Sequence, residues 1–295
     1  MSVGRRDGPE SERRRAFFVW VVFDRSAVFR ASVPRGGSDA AGVILEWWHY
    51  PVLFVVGLVA GVVDAVAGGG GLITVPALLN LGLPVPLALG TNKFQSSFGS
   101  VSASRHFLRQ KVVDLRACAW GIVATAIGAT AGAITVQRLP GDLLGRAIPW
   151  LLAAILIYMM CKPQLGGVAR PARMERTPFF VLFGLALGFY DGFFGPGTGS
   201  FWVIALLLVR GENFTQATGA TKVMNATSNL ASLALFAFAG LIHLGAGLAM
   251  AGGQLIGGRL GAGLVVTRGA RFVRPLFFTM VALTLARLIW VNYLE

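Results

Sequence analysis

Residues 57–71 read GLVAGVVDAVAGGGG, and residues 184–199 read GLALGFYDGFFGPGTG. In each stretch an apolar helical pattern carries one aspartate, Asp64 or Asp191, and then breaks at glycines, Gly68 to Gly71 or Gly195 to Gly199. Six positions of the first stretch (Gly57, Leu58, Gly61, Asp64, Gly68, Gly70) return in the second as Gly184, Leu185, Gly188, Asp191, Gly195 and Gly197. A match of that length points to a duplicated unit and predicts further matches in the same register.

Two further blocks meet that expectation. Ala88, Gly90 and Lys93 recur as Ala217, Gly219 and Lys222, and Ala124, Ala126, Gly128 and Gly132 recur as Ala249, Ala251, Gly253 and Gly257. Hydrophobic periodicity from Trp47 onward predicts ten helices, at 47–67, 71–83, 86–108, 116–136, 143–161, 178–194, 198–210, 214–239, 244–266 and 272–292. The chain therefore divides into an arginine-rich tail (1–46), a first five-helix repeat (47–162), a basic linker (163–177) and a second repeat (178–295). Eight of the helices are long, and the second and seventh, which follow the glycine runs, are short.

The solvent for these helices follows from composition. Of 295 residues, 55% are apolar and 13% charged, about half the charge of an ordinary soluble domain. Recurrent apolar stretches near the roughly 17–25 residues that cross a hydrocarbon core predict an all-α, multi-pass protein of the cytoplasmic membrane, with the lipid bilayer as its solvent. The formal charge of +13 does not imply nucleic acid. The basic residues collect at 109–116, 162–176 and 268–274, between apolar segments, as cytoplasmic anchors do. The eight-residue apolar run Ala16 to Phe23 is short for a span and is not followed by a small-residue cleavage pattern. Two cysteines, Cys118 and Cys161, offer no disulfide framework, and the histidines (His49, His106, His243) stand far apart, so no metal or cofactor is expected.

An odd number of helices per repeat, if all cross, inserts the two copies with opposite orientation, the inverted-repeat plan of many secondary transporters. Starting the first helix outside places all three basic clusters in the cytoplasm. The other reading makes both short helices re-entrant, giving eight crossings and parallel copies, and it separates 268–274 from the other clusters.

The polar residues inside the apolar pattern are the candidate site. Asp64 and Asp191 are costly at membrane depth, and they read either as carboxylates that bind a coupling proton or cation or as partners for donors on other helices. Glycine breaks leave backbone amides unpaired, tolerated only where they are buried in protein or line a cavity, and the amino end of a following helix favours an anion. Gly69, Gly70, Gly197 and Thr198 are the candidate positions there. Lys93 and Lys222, with Thr91, Asn92, Ser96, Thr221 and Asn225 close by in sequence and Ser97, Thr227, Ser228 and Asn229 within the next two turns, read as an ammonium surrounded by hydroxyls and amides that suits a small oxyanion. Equally, each lysine can pair with an aspartate of a neighbouring helix or snorkel to the interface. The spacings Gly128-x-x-x-Gly132 and Gly253-x-x-x-Gly257 read as close-packing faces.

The pairing of the Gly-Leu-x-x-Gly-x-x-Asp helix and its glycine run with the following Leu89-Gly90-Thr91-Asn92-Lys93, repeated as Asp191 to Gly199 and Ala220-Thr221-Lys222, resembles the TauE/SafE family of membrane transporters over about residues 50–290. The resemblance implies a permease and not an enzyme. It implies a sulfur-containing anion such as sulfite or a sulfonate as substrate, and a role for Asp64, Gly68–Gly71, Thr91, Asn92 and Lys93 and for Asp191, Gly195–Gly199, Thr221 and Lys222. A passive anion channel on the same fold is the alternative, a non-transporting membrane subunit is a third, and assembly into a homo-oligomer stays open.

Overall fold

The computed structural model describes residues 45–161 and 171–289. Most of the tail, the linker as far as residue 170 and the last six residues lie outside the described residues, as does the apolar run Ala16 to Phe23. Among the described residues the regular structure is helical: α1 His49–Ala67, α2 Gly71–Asn80, α3 Val85–Arg109, α4 Ala119–Gln137 entered through a 3-10 turn at Arg116–Cys118, α5 Gly141–Cys161, α6 Arg176–Phe193, α7 Thr198–Leu208, α8 Phe214–Phe238 and α9 Leu244–Ile289. Among the described residues two helices are long and apolar enough to cross a membrane, His49–Val66 (mean hydropathy 1.8) and Arg116–Gln137 (1.6). The long helices α3 and α8 owe their lower apolarity to polar residues that are buried rather than exposed: Thr91, Asn92, Lys93, Gln95, Ser97 and Ser100 on α3, and Thr218, Thr221, Lys222, Asn225, Ser228 and Asn229 on α8. The exterior, by contrast, carries Val55, Phe98, Trp120, Val123, Ile127, Leu182, Leu248 and Leu260. A polar interior under an apolar surface suits hydrocarbon surroundings.

One expected boundary is corrected. The segments 244–266 and 272–292 are not separate helices, because α9 runs unbroken through 46 residues, about 70 Å at 1.5 Å per residue. The cluster 268–274, expected as a loop, is helical. Arginine is a good helix former, so a charge cluster between two apolar runs carries no backbone break of its own, and a single Gly269 costs only about 1 kcal/mol.

Close glycine contacts fix how the helices run. A Cβ on Gly57 would meet Met250, one on Gly61 Gln254, and one on Gly261 Val62, so α1 and α9 are parallel. Gly99 likewise faces Gln254, the Ser102 hydroxyl donates to the Leu255 carbonyl at 2.8 Å, and Gly263 faces His106, so α3 is parallel to α9 as well. With α1 and α3 parallel, the intervening chain, α2 included, runs back along the bundle. The second half repeats this arrangement. Gly184, Gly188 and Gly192 pack on Ala124, Thr125 and Ala129, making α6 parallel to α4. Gly219 packs on Val113, and Thr125 Oγ1 meets Met224 Sδ at 3.5 Å, making α8 parallel to α4. Between the halves the direction reverses, since Gly90 faces Phe236, Lys93 reaches Asn229 and Gly219 faces Phe107, so α3 and α8 are antiparallel. The expected small-residue faces Gly128/Gly132 and Gly253/Gly257 carry these contacts, against Leu185 and Phe189 of α6 and against Leu58 of α1. Each repeat's first helix thus packs on the other repeat's fourth, where absent side chains let backbones approach and gain dispersion.

Candidate functional site

The site forms where the two glycine breaks meet. Gly68 ends α1 in the left-handed region (φ 72°), its N–H donating to the Asp64 carbonyl at 2.8 Å, and Gly195 and Gly197 (φ 99° and 85°) turn the chain from α6 into α7. Only glycine takes these angles without strain. The turns press on each other: a Cβ on Gly68 would lie 2.3 Å from Gly199 Cα, and one on Gly71 3.0 Å from Pro196 Cα. Tyr190 steadies the second break, its hydroxyl donating to the Pro196 carbonyl at 2.7 Å.

The polar faces of α3 and α8 close around this junction. Lys93 Nζ lies 2.6 Å from Asp191 Oδ1 and 3.4 Å from Asn229 Oδ1, and Ser228 Oγ donates to Asp191 Oδ2. Lys222 Nζ lies 3.0 Å from Asp64 Oδ2 and also donates to the Asp64 carbonyl, while the Gly70 N–H approaches Asp64 Oδ1 at 3.4 Å. Each lysine therefore pairs with the aspartate of the opposite repeat. Of the readings the lysines allowed, pairing with a neighbouring aspartate is the one observed. Both ammonium groups are fully enclosed, at 1% and 0% side-chain exposure. Two buried pairs leave the junction formally neutral, and each is sustained only while both partners stay in place.

Between the pairs is a small cavity lined by Asp64, Gly68, Gly71, Asn92, Ser96, Asp191, Gly195, Thr198, Gly199, Asn225 and Asn229. Its volume of about 20 Å³ is room for about one water molecule. Asn92 Oδ1 accepts from Thr74 Oγ1 at 2.6 Å and from Gln95 Nε2 at 2.8 Å, which fixes the amide at the cavity wall, and Asn225 Oδ1 is buried there with no partner among the described residues.

The candidate positions sort by this geometry. Asn92, Ser96, Thr198, Asn225, Asp64 and Asp191 line the cavity. Lys93 and Lys222 stand behind the carboxylates that do. Gly69, Gly70 and Gly197 build the turns without lining it, and Thr198 Oγ1 is engaged with the Gly195 carbonyl at 2.7 Å. Thr91 faces elsewhere, donating to the Leu87 carbonyl and accepting from the His243 N–H at the α8–α9 turn. Thr221 is buried, its hydroxyl without a partner among the described residues. Ser228 and Asn229, read from the sequence as polar positions within two turns beyond Lys222, contribute here as partners of Asp191 and Lys93. Thr74 and Tyr190 carried no signal in an apolar helix. Among the described residues no group of three or more His, Cys, Asp or Glu gathers as metal ligands do.

Comparison with known proteins agrees with a membrane protein. Residues 53–288 match the family model "Sulfite exporter TauE/SafE". The chain is 41% identical over 239 residues to "Probable membrane transporter protein YfcA" of Escherichia coli K12, covering 81% of this chain and 89% of that protein. It is 42% identical over 239 residues to a "Probable membrane transporter protein" of Haemophilus influenzae, covering 81% and 94%. Over 236 residues it is 40% identical to "Probable membrane transporter protein ORF9" of Sinorhizobium sp, covering 79% and 89%. No solved structure gives a significant match.

Proposed function

The chain belongs to the sulfite exporter TauE/SafE family, and from that premise we propose that this membrane transporter moves a small oxyanion, a sulfur-containing one such as sulfite or a sulfonate, across the cytoplasmic membrane by alternating access between its two inverted halves. The observation that carries the reading is the reciprocal exchange of ion pairs across the halves, Lys93 with Asp191 and Lys222 with Asp64. A neutral, closed junction accepts an anion only when a lysine releases its carboxylate. That carboxylate, left buried without a counter-charge, costs several kcal/mol unless it takes up a proton or cation. Anion entry and proton or cation entry are thereby tied together, which a passive channel does not require.

Inversion is supported by the antiparallel run of α3 and α8, and the return of the chain through α2 and α7 favours full crossings over re-entrant loops. Five segments separate the start of α1 from the start of α6, so the opposite orientation of the halves does not depend on where α9 ends. The glycine junction, packed backbone to backbone, is the natural pivot, and the small cavity is the occluded state between two open ones. The site lacks a nucleophile with a base, and the chain lacks a Walker sequence for direct use of ATP.

Thermal stabilisation of the detergent-purified protein by sulfite, sulfate, thiosulfate, sulfoacetate, taurine, acetate and lactate tests the substrate class. A ligand of the folded state raises apparent stability once its concentration exceeds its dissociation constant. Stabilisation confined to sulfur oxyanions is expected, and no shift with any anion removes the basis for an anion site.

A further inference from the structure

The two ion pairs are not equivalent. Asp191 has both carboxylate oxygens engaged, by Lys93 and by the Ser228 hydroxyl, and its side chain is 5% exposed. Asp64 has Lys222 on one oxygen and only a long contact from the Gly70 N–H on the other, and is 18% exposed. The difference traces to one position of the repeat. In the register that aligns Lys93 with Lys222, the counterpart of Ser228 is Gly99. The first half therefore has no hydroxyl where the second half holds its aspartate.

That place is filled from another helix. A Cβ on Gly99 would lie 2.1 Å from Gln254 Oε1, and a Cβ on Gly61 3.0 Å from Gln254 Cα. Gln254 of α9 thus enters between α1 and α3, one turn from Asp64 on α1 and one turn from the cavity-lining Ser96 on α3. It is 1% exposed, and neither Oε1 nor Nε2 has a hydrogen-bond partner among the described residues. A primary amide buried with both polar atoms unpaired is unfavourable in one conformation and calls for a partner in another.

We infer that Gln254 is a positioning residue for Asp64: its amide takes, in the first half, the role of the Ser228 hydroxyl in the second, and donates to the Asp64 carboxyl when Lys222 turns to the anion. The inference rests on the proposed anion role of Lys222. It makes Lys222–Asp64 the pair that opens and Lys93–Asp191 the pair that stays shut. The charged groups facing Asp64 among the described residues are Lys222 and, across the cavity, Asp191 with its partner Lys93, so among the described residues no other cation is at hand to hold the freed carboxyl.

Two readouts test it. In proteoliposomes with sulfite as probe, Gln254→Ala, with Gln254→Met as the variant that keeps the packing volume, should lower turnover about tenfold, the effect of one hydrogen bond to a charged group, with apparent KM little changed. Gly99→Ser in the Gln254→Ala background should restore most of the rate, because it rebuilds the second-half arrangement. The other readout needs no substrate. In Lys222→Met protein the infrared carboxyl band of Asp64, assigned by its loss in Asp64→Asn, should shift on Gln254→Ala and shift back on adding Gly99→Ser. An unchanged band, or a wild-type turnover in both Gln254 variants, overturns the role of Gln254. Absence of sulfite transport by the wild type would instead count against the proposed substrate, and the infrared comparison would still decide on Gln254.

Discussion

Lys93 Nζ and Asp191 Oδ1 meet at 2.6 Å although 98 residues separate them in sequence, and the pair is repeated with the roles of the halves exchanged by Lys222 and Asp64 at 3.0 Å. A duplication that had merely stacked two units would pair each lysine within its own repeat. Exchange of partners binds the halves at the point where both helical pairs are broken, so movement between the halves and rearrangement of charge are one event.

Removing Lys93 strands a carboxylate at 5% exposure, whereas removing Lys222 strands one at 18%. Lys93→Ala is expected to lower stability by about 3–5 kcal/mol, the cost of breaking a buried pair from one side, and Lys222→Ala by less. Melting of the purified variants checks the order. Asp191→Ala added to Lys93→Ala should recover part of the loss, because the uncompensated charge goes with it.

Close helix approach is tested by two glycines of opposite character. A Cβ on Gly132 would lie 2.1 Å from the Phe189 carbonyl oxygen, while one on Gly145 meets nothing within 4 Å. Gly132→Ala should push α4 from α6 and cost about 1–3 kcal/mol. Gly145→Ala should be neutral or stabilise by up to about 1 kcal/mol through helix propensity alone. Equal melting temperatures for the two variants would deny the backbone contact.

At the α7–α8 turn, outside the proposed spans, burial raises the Glu212 carboxyl above its ordinary value against the opposing pull of Arg176 and Arg210. A carboxyl raised in the folded state contributes stability that is present below its unfolded pKa and is lost as pH climbs through the folded one. Glu212→Gln, which remains neutral, should melt with the wild type near pH 4 or below and above it near pH 8, since carboxylates ordinarily titrate at about 4.3. A constant difference across that range would mean that the carboxyl titrates alike in the folded and unfolded chain, contradicting the shift.

Much of this was legible in the chain. The duplicated Gly-Asp-Gly frame located the two breaks, and the aspartates and lysines proved to be one constellation because a charge in an apolar helix needs a partner. Which partner was not legible: pairing within or between repeats depends on α3 and α8 running antiparallel, a tertiary fact. The continuity of α9 escaped because the arginines that mark a loop in a membrane chain are also good helix residues. Thr91 belonged to the same polar cluster by sequence, yet its position on α3 turns it toward the α8–α9 connection. Gln254, a lone amide in a glycine-rich helix, acquires meaning only beside Gly99.

The most direct test of the central claim is sulfite accumulation by reconstituted protein under an imposed proton gradient, in wild type, Lys93→Ala and Lys222→Ala, each verified as folded and inserted. The account predicts concentration of sulfite against its gradient by the wild type and loss of that uptake in both variants. Full transport by the two lysine variants would contradict it.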